Sequence, residues 1–396
     1  MLAIALSSTM FANVFINGAA FLIPTLHERR GLDLAHAGLV SAMPSIGMVF
    51  TLIAWGYAVD RLGERVVLAL GSALTAAAAF AAAASSTLVL TSAFLLLGGM
   101  AAASSNSASG RLVVGWFAAD RRGLAMGLRQ TAQPLGVALG ASVIPRLAHS
   151  HGIGVALLFP AILCAVSAAV SAIGVLDPPR PSREQAPPEH LGNPYRGSSV
   201  LWRIHAVSVL LVVPQVVVWT FSLVWLMIDR GWSAAPAGAL VTAAQVLGAL
   251  GRVAAGRWSD RVGSRLRPIR TIAIAAAAAM AVLGLTDQLG SPVSITVMII
   301  ASVITVSDNG LAFTAIAEIA GPFWSGRALG TQNTSQLLAA GIAPPIFGGL
   351  IAAAGYPAAF AACAVFPSVA LPLVPVTTET PIRAKEPRRH GLRFRR

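Results

Sequence analysis

Long apolar runs separated by short polar segments dominate the sequence. Each run is about 20 residues, which is enough for a helix to cross a hydrocarbon core of roughly 30 Å. A membrane β-barrel would need alternating strands of about 10 residues, whereas these runs are continuous and rich in Ala, Leu and Gly. The pattern predicts an all-α integral membrane protein with twelve transmembrane helices, near 3–24, 37–58, 66–84, 88–112, 124–147, 152–176, 202–228, 235–255, 270–288, 292–317, 328–352 and 355–376.

A polar interval divides these helices into two sets of six. The segment DPPRPSREQAPPEHLGNPYRGSS is rich in proline and charge and cannot cross a membrane, so we interpret it as a linker. The predicted domains are a first six-helix bundle over 1–176, a cytoplasmic linker over 177–200, a second six-helix bundle over 201–376 and a basic tail over 377–396. The tail is expected to be solvated, or alternatively to lie against anionic lipid head groups.

The placement of basic residues predicts the orientation in the membrane. About 22 of the 28 Lys and Arg residues fall on the side shared by the linker and the tail, and four fall on the other side, Arg29, Arg30, Arg146 and Arg230. Loops rich in these residues stay cytoplasmic, so both termini and the linker are predicted to be cytoplasmic. The first run begins at Met1 without a basic segment or a cleavage site, which indicates a membrane helix rather than a signal peptide.

Composition agrees with a bilayer environment and excludes several other classes. The chain is 56% hydrophobic and 11% charged with a mean hydropathy of +0.74, whereas soluble domains carry about 25% charged residues. The net charge of +13 is spread between apolar runs and a tail, so no nucleic-acid partner is indicated. The two cysteines are isolated, the only lysine is Lys385, and no ATP-binding or catalytic pairing occurs. We therefore expect no metal, no cofactor and no enzyme.

One polar phrase occurs twice. GYAVDRLGER at 56–65 and GRWSDRVGSR at 256–265 share the pattern Gly-x-x-x-Asp-Arg-x-Gly-x-Arg, each in the predicted turn after the second helix of its half. A second similarity between the halves is that GLRQTAQ at 127–133 aligns with GTQNTSQ at 330–336. The two halves are therefore predicted to be parallel repeats, an arrangement known in transporters.

With these motifs the chain resembles the major facilitator superfamily over essentially its whole length. The resemblance implies two bundles that rock about a central site by alternating access. It also implies that the repeated phrase forms a latch that closes the cytoplasmic side. Position 64 departs from the family, which often has a basic residue there, because it is Glu64.

The residue types of the motif suit such a latch. Small residues allow close helix approach, glycine permits a positive φ in a tight turn, and a carboxylate is favoured at a helix N-terminus of the opposite half. The arginines can pair with acids at neighbouring helix ends or with lipid phosphates. Glu318 is the expected partner of Arg261 or Arg265, and the first half lacks an equivalent acid on its fourth helix, so we expect an asymmetric latch. The latch residues are Gly56, Asp60, Arg61, Gly63, Arg65, Gly256, Asp260, Arg261, Gly263, Arg265 and Glu318.

Ionisable residues within the spans are candidates for the substrate path, because each costs roughly 2.5 to 3.5 kcal/mol on insertion. Arg252 replaces Leu52 of the first half, and its stretch GRVAAGRWSD is similar to helix 8 of oxalate/formate exchangers and monocarboxylate carriers, in which an arginine binds carboxylate. Arg129, one to two turns into helix 5, is a second candidate. The alternatives are that Arg252 extends to the surface or pairs with a neighbouring acid such as Asp308, and that Arg129 extends to the surface. Asp308 is the candidate proton-coupling group, with structural helix packing as the alternative.

Uncharged polar residues could complete a cavity. In this superfamily helices 1, 4, 7 and 10 line the cavity, which favours Asn13, Asn17, Asn106, Gln215, Asp308 and Asn309, with Trp219 beside them. Gln133, Gln245, Asn333 and Gln336 lie on other helices. The alternative for any of these residues is an interhelical hydrogen bond, worth about 0.6 kcal/mol on average.

These observations predict a monomeric, proton-coupled secondary transporter in the bacterial inner (plasma) membrane, with membrane lipids as its surroundings. The leading substrate is a small organic anion such as a monocarboxylate or dicarboxylate. One alternative is efflux of amphipathic or drug-like compounds, although PLGVALGASVIP does not match the drug-antiporter signature on helix 5. Another is a membrane sensor that kept this fold and lost transport.

Overall fold

The structure is a computed structural model that describes residues 1–30, 32–180 and 184–379. Its first half contains six membrane helices, which we label α1 to α6. Helix α1 continues through a 3₁₀ turn, Ala19–Leu22, into Ile23–Arg30, and α5 consists of two pieces joined at Thr131. The bounds are α1 Leu2–Gly18, α2 Leu34–Leu62, α3 Glu64–Ala84, α4 Leu88–Trp116, α5 Arg122–Gln130 with Ala132–His151, and α6 Ile153–Gly174.

The second half repeats this arrangement as α7 to α12. A π-helical turn, Trp225–Asp229, continues α7, and α10 is interrupted between its two pieces. Helices α11 and α12 share the segment Ser325–Cys363, which the non-helical Gly355 divides, and Val365–Ala370 continues α12. The remaining bounds are α7 Val200–Val224, α8 Ala234–Val262, α9 Leu266–Gln288 and α10 Val293–Ile304 with Asn309–Ala320.

The all-helical, twelve-span architecture predicted from the sequence is confirmed. Ten helical segments of the described chain are long and apolar enough to cross a membrane; the last of them, Ser325–Thr378, contains both α11 and α12, and α5 is not among the ten. The linker holds a short helix, Pro188–Leu191, and the predicted tail lies outside the described residues from position 380 on.

The structure corrects some of the predicted boundaries. Helices α2 and α8 extend to Leu62 and Val262, so Asp60 and Asp260 lie in their last turns rather than in loops. The turns that follow begin at Gly63, with φ of 91°, and Gly263, with φ of 69°. Helix α10 was predicted to be continuous, but Thr305 to Asp308 form a turn within the span. Backbone irregularity inside a span is tolerated where protein surrounds it, and Asp308 and Asn309 are both buried.

The two halves contact each other at one end, which holds both repeated motifs and which we call the motif side. Helix α2 packs on α11, and α8 packs on α5. A small apolar cluster crosses between the halves, with Val113 and Met126 from the first and Phe313 and Leu329 from the second. The conformation is therefore closed on the motif side.

Glycines make this contact possible. A Cβ atom on Gly56 would lie 2.3 Å from the Gly326 carbonyl oxygen, and one on Gly256 would lie 2.1 Å from that of Gly123. Both distances are far shorter than any real contact, so each pair of helices approaches backbone to backbone. A side chain at either position would force the helices apart.

We predict that Gly256→Ala shifts the protein away from the motif-side-closed conformation, because the new methyl group collides with the α5 backbone. Spin labels on Leu62→Cys and Val262→Cys, one on each half, would report the separation by electron–electron double resonance. Gly238→Ala is the matched control, because a Cβ atom there meets open space on the same helix. Identical distance distributions in Gly256→Ala and the control would contradict the prediction.

Candidate functional site

Asp60 at the end of α2 joins the two halves. Its carboxylate, buried at 4% exposure for the whole residue, accepts hydrogen bonds from the backbone amides of Gly326 (2.9 Å) and Arg327 (3.1 Å) at the start of α11, and from Arg327 Nε at 2.9 Å. Arg111 Nη1 on α4 donates to it at 2.9 Å. A carboxylate at a helix N-terminus is stabilised by the unpaired amides and the helix dipole.

Asp260 makes the equivalent contact from the second half. It accepts from the backbone amides of Gly123 at 2.9 Å and Leu124 at 2.8 Å, at the start of α5, and from Arg265 Nη1 at 2.6 Å. We call Asp60 and Asp260, together with the α11 and α5 amides that they accept from, the carboxylate gate.

Charged neighbours support the gate differently in the two halves. Arg265 Nη2 lies 3.3 Å from Glu318 Oε1 on α10, which is one of the two pairings expected for Glu318. In the first half the signs are reversed, because Glu64 is the acid and pairs with Arg111 of α4 and Arg180 of the linker, each at 3.0 Å. The sequence analysis expected an asymmetry here but missed Arg111. This residue could have been noticed, because it is an ionisable residue near the end of an apolar run.

The remaining motif arginines do not make the expected ion pairs. Arg61 lies 5.2 Å from the centre of the Tyr57 ring, and Arg65 Nε donates to the Ala172 carbonyl at 2.7 Å. Within the described parts of the chain, no acidic group lies within ion-pair distance of Arg61, Arg65 or Arg261. These side chains lie outside the gate contacts.

Two further acids accept hydrogen bonds from backbone amides at the motif-side ends of the bundles. Asp177, just after α6, accepts from the Arg65 amide at 2.8 Å. Glu379, after the two short 3₁₀ turns that follow α12, accepts from the Leu266 amide at 3.1 Å and also from the Arg265 amide and the Ser264 hydroxyl. Each acid caps the start of the third helix of its half, and sequence reasoning missed both.

A cavity of about 150 Å³ lies between the halves. Leu52, which lines it, also contacts Gly330 of the opposite half. Eight carboxamide side chains reach the cavity together with Arg129, Trp219 and Thr9. The carboxamides are Asn13, Asn106, Gln130, Gln133, Gln215, Asn309, Asn333 and Gln336, and the apolar lining is Met48, Leu52, Val212, Val216, Phe313, Leu337 and Ala340.

Six of the nine substrate-path candidates line this cavity, and Asn17, Arg252 and Asp308 do not. Asn17 donates to Asn13 Oδ1 at 3.2 Å, one turn along α1. Gln130 and Thr9 were not anticipated, and Gln133, Asn333 and Gln336 had been noted but not favoured. Which helix face points inward could not be read from the sequence.

Arg129 carries the only charge among the cavity-lining residues. It is 2% exposed. Its Nε donates to Ser109 Oγ at 3.0 Å, its Nη2 donates to the Asn106 carbonyl at 3.0 Å, and its Nη1 donates to Gln130 Oε1. All these acceptors are neutral, and no carboxylate of the described chain forms an ion pair with Arg129. Hydrogen bonds hold the guanidinium in place without neutralising its charge.

Arg252 lies in the α5–α8 contact and is not among the residues that line the cavity in this conformation. Its Nη1 donates to the Gln130 carbonyl of the other half at 3.2 Å, and its Nε has no partner. Asp308 is 2% exposed with an unpartnered Oδ2. Helices α8 and α10, which carry Arg252 and Asp308, pack together, but no ion pair within 4.0 Å joins the two side chains among the described residues.

Asn309 connects three helices of the second half. Its Nδ2 donates to Gln215 Oε1 on α7 at 2.9 Å, and its Oδ1 accepts from Gln336 Nε2 on α11 at 3.1 Å. It begins the second piece of α10, directly after Asp308. The interruption of α10 therefore places a cavity-lining amide next to a buried carboxylate.

Comparison with known proteins decides the family. The model of the Major Facilitator Superfamily matches residues 2–344. The chain belongs to the major facilitator superfamily. It is 57% identical over 392 residues to the uncharacterized MFS-type transporter Rv2994 of Mycobacterium tuberculosis (strain ATCC 25618 / H37Rv), covering 98% of this chain and 88% of that protein. The MFS-type transporter MT3072 of strain CDC 1551 / Oshkosh matches with the same identity and coverage.

Solved superfamily structures share this fold at low sequence identity. The human organic anion transporter MFSD10 (TETRAN) superposes with a TM-score of 0.75 at 18% identity, covering 94% of this chain and 98% of that one. The proton:xylose symporter XylE superposes with a TM-score of 0.74 at 18% identity, covering 93% and 94%. At this level of identity, the comparison shows the fold of this integral membrane transporter. It does not show which substrate the protein carries.

We predict that Asp260→Asn weakens the carboxylate gate. The amide keeps the shape but loses charge-assisted hydrogen bonds, which contribute about 1.5–3 kcal/mol each, so opening on the motif side should become at least about tenfold easier. A cysteine at Asn333 in the cavity would be labelled from the motif side with an impermeant thiol reagent. Asp120→Asn, an exposed acid on the same side, is the control, and equal labelling rates in both variants would argue against the gate.

Proposed function

We propose that this superfamily member moves a small organic anion across the bacterial inner membrane by alternating access, in symport with protons. Arg129 is the observation that supports the anion, the carboxylate gate supports alternating access, and Asp308 supports proton coupling. The motif side is the cytoplasmic side in this proposal, following the distribution of basic residues.

The anion is proposed because the positive charge of Arg129 is buried and uncompensated. A buried charge is costly unless an opposite charge accompanies it. The gate acids Asp60, Glu64, Asp260 and Glu318 each lie against an arginine, whereas Arg129 has only neutral acceptors. A carboxylate entering from solution would supply the missing charge, and a planar guanidinium suits that group.

The cavity favours a small, polar solute. Its volume of about 150 Å³ lies below the roughly 300–1,000 Å³ of pockets that hold drug-sized ligands. Eight carboxamides offer both donors and acceptors for hydroxyl or carbonyl groups of the solute. This lining disfavours the alternative of amphipathic or drug-like efflux, which would need a larger apolar surface.

Alternating access is proposed from the construction of the gate. The motif side is closed by carboxylates that bind helix N-termini of the opposite half, and all of these bonds break together when the halves separate. When the halves separate, water can replace these hydrogen bonds, so neither the carboxylates nor the amides are left buried without a partner. The same contacts would therefore stabilise one conformation without preventing the other.

Proton coupling is proposed for Asp308. Its protonated form needs no counter-charge, whereas its ionised form does, and Arg252 on the same half lies nearby with an unpartnered Nε. Arg252 is held by the Gln130 carbonyl of the other half, and that bond breaks when the halves separate on the motif side. Freed from Gln130, Arg252 becomes available to the ionised carboxylate, which favours proton release toward that side.

A neutral polyhydroxylated solute is the second candidate. The eight carboxamides and Trp219 favour it, because amide groups hydrogen-bond to hydroxyls and an aromatic face packs against a sugar ring. In this case Arg129 would organise Asn106 and Gln130 instead of binding the solute.

Thermal stabilisation of the purified protein distinguishes these candidates. We predict that a small carboxylate raises the unfolding midpoint of the wild type, that Arg129→Gln abolishes the shift, and that Arg129→Lys retains part of it because the charge remains. Arg146→Gln, which lies on the other side of the membrane, is the control. Stabilisation by neutral sugars alone would reject the anion proposal, and a carboxylate shift that survives Arg129→Gln would reject Arg129 as the residue that binds the anion.

Proteoliposomes test the coupling group. We predict that Asp308→Asn abolishes uphill uptake driven by a proton gradient but retains substrate exchange at zero gradient, because the variant imitates a permanently protonated carboxyl. Gradient-driven accumulation by Asp308→Asn would exclude Asp308 as the coupling site. If the wild type transports none of the anions and sugars that stabilise it, the result would favour the non-transporting sensor.

A further inference from the structure

The lipid-facing surfaces of α8 and α9 end in arginines on the motif side. Along α8 the exposed positions Val246, Leu250 and Ala254 recur every four residues and continue into Arg257 and Arg261. Such a four-residue repeat is one face of a helix. The apolar part of this face is in the position to contact acyl chains, so its two arginines lie where the head groups begin.

On helix α9 the exposed face likewise changes from apolar residues to arginines. Its exposed face carries Ile274, Val282 and Leu285, and toward the motif side it continues into Arg270 and Arg267. Helices α8 and α9 both pack against α10 and are joined by a short turn at residues 263–265. Two pairs of guanidinium groups therefore lie on adjacent helix ends at one edge of the second bundle.

The four arginines have no partners within the described protein. All four are exposed, and none of their side chains makes a hydrogen bond or an ion pair with another described residue. Trp258 and Val262 are exposed beside them, at 38% and 44%. Aromatic residues with basic neighbours are typical of the membrane–water interface.

The repeat itself does not explain these charges. At the equivalent positions of the first half, 200 residues earlier, the residues are Tyr57, Arg61, Val67 and Leu70. The first half thus has one arginine where the second has four, and that arginine lies over the Tyr57 ring. The gate motif can be built without the extra charges.

We propose that Arg257, Arg261, Arg267 and Arg270, which we call the α8–α9 basic rim, bind the phosphate head groups of anionic phospholipids. Guanidinium groups bind phosphate through paired N–H donors, and basic clusters beside membrane helices attract anionic lipids. The apolar faces above the rim hold the acyl chains of the same lipid, which a free phosphate ion could not use. The rim therefore favours a lipid over a soluble anion.

The test is lipid titration of the detergent-purified protein, followed by thermal unfolding. We expect phosphatidylglycerol to raise the unfolding midpoint of the wild type above that with phosphatidylcholine. The quadruple Gln variant of the rim should lose this difference, with the apparent lipid affinity falling by roughly fivefold for each arginine removed. The quadruple Lys variant should retain most of it, because the charge remains, and high salt should weaken it.

Two controls make the result decisive. Arg61→Gln with Arg196→Gln removes exposed charges on the same side but outside the rim, and it should leave the lipid response intact. Inorganic phosphate should not reproduce the shift. An unchanged phosphatidylglycerol response in the quadruple Gln variant, an equal loss in the control variant, or full replacement of the lipid by inorganic phosphate would overturn the proposal.

Discussion

The structure depends on the backbone contact between the two halves at the motif side. Gly256 against Gly123 and Gly56 against Gly326 bring α8 to the start of α5 and α2 to the start of α11. Only at this separation can Asp260 and Asp60 accept hydrogen bonds from the first amides of those helices. The glycines set the distance and the carboxylates supply the attraction, so each part of the repeated motif requires the other. The closed side then forms the floor of the central cavity.

Charge is balanced in the gate and unbalanced in the cavity. At the gate, Asp60, Glu64, Asp260 and Glu318 all lie against arginines. One layer deeper, Arg129 is surrounded by hydroxyl and amide groups that fix its position but leave its charge without a counterpart. Ionisable groups within a membrane are energetically costly, so an arginine held by neutral groups alone calls for an opposite charge from outside the protein. This contrast is the physical reason why we propose that an anionic solute binds beside Arg129.

Sequence patterns could predict the fold because hydrophobic length and the repeated motif report directly on membrane spans and internal duplication. They also indicated where the two halves meet, since Asp60 and Asp260 recur in register with the glycines. The inward faces could not be predicted, because every span is apolar on several sides, and Arg252 and Arg129 look equivalent until their helices are packed. The reversed pair Glu64–Arg111 and the caps Asp177 and Glu379 arise from contacts between distant segments, which periodicity does not report.

The most direct test of the account is an experimental structure of the protein with a bound small carboxylate that stabilises it. The account predicts carboxylate density in the cavity between the halves, within hydrogen-bond distance of the Arg129 guanidinium and contacted by the surrounding carboxamides. Density located at Arg252 away from the cavity, or a solute in the cavity that makes no contact with Arg129, would contradict it.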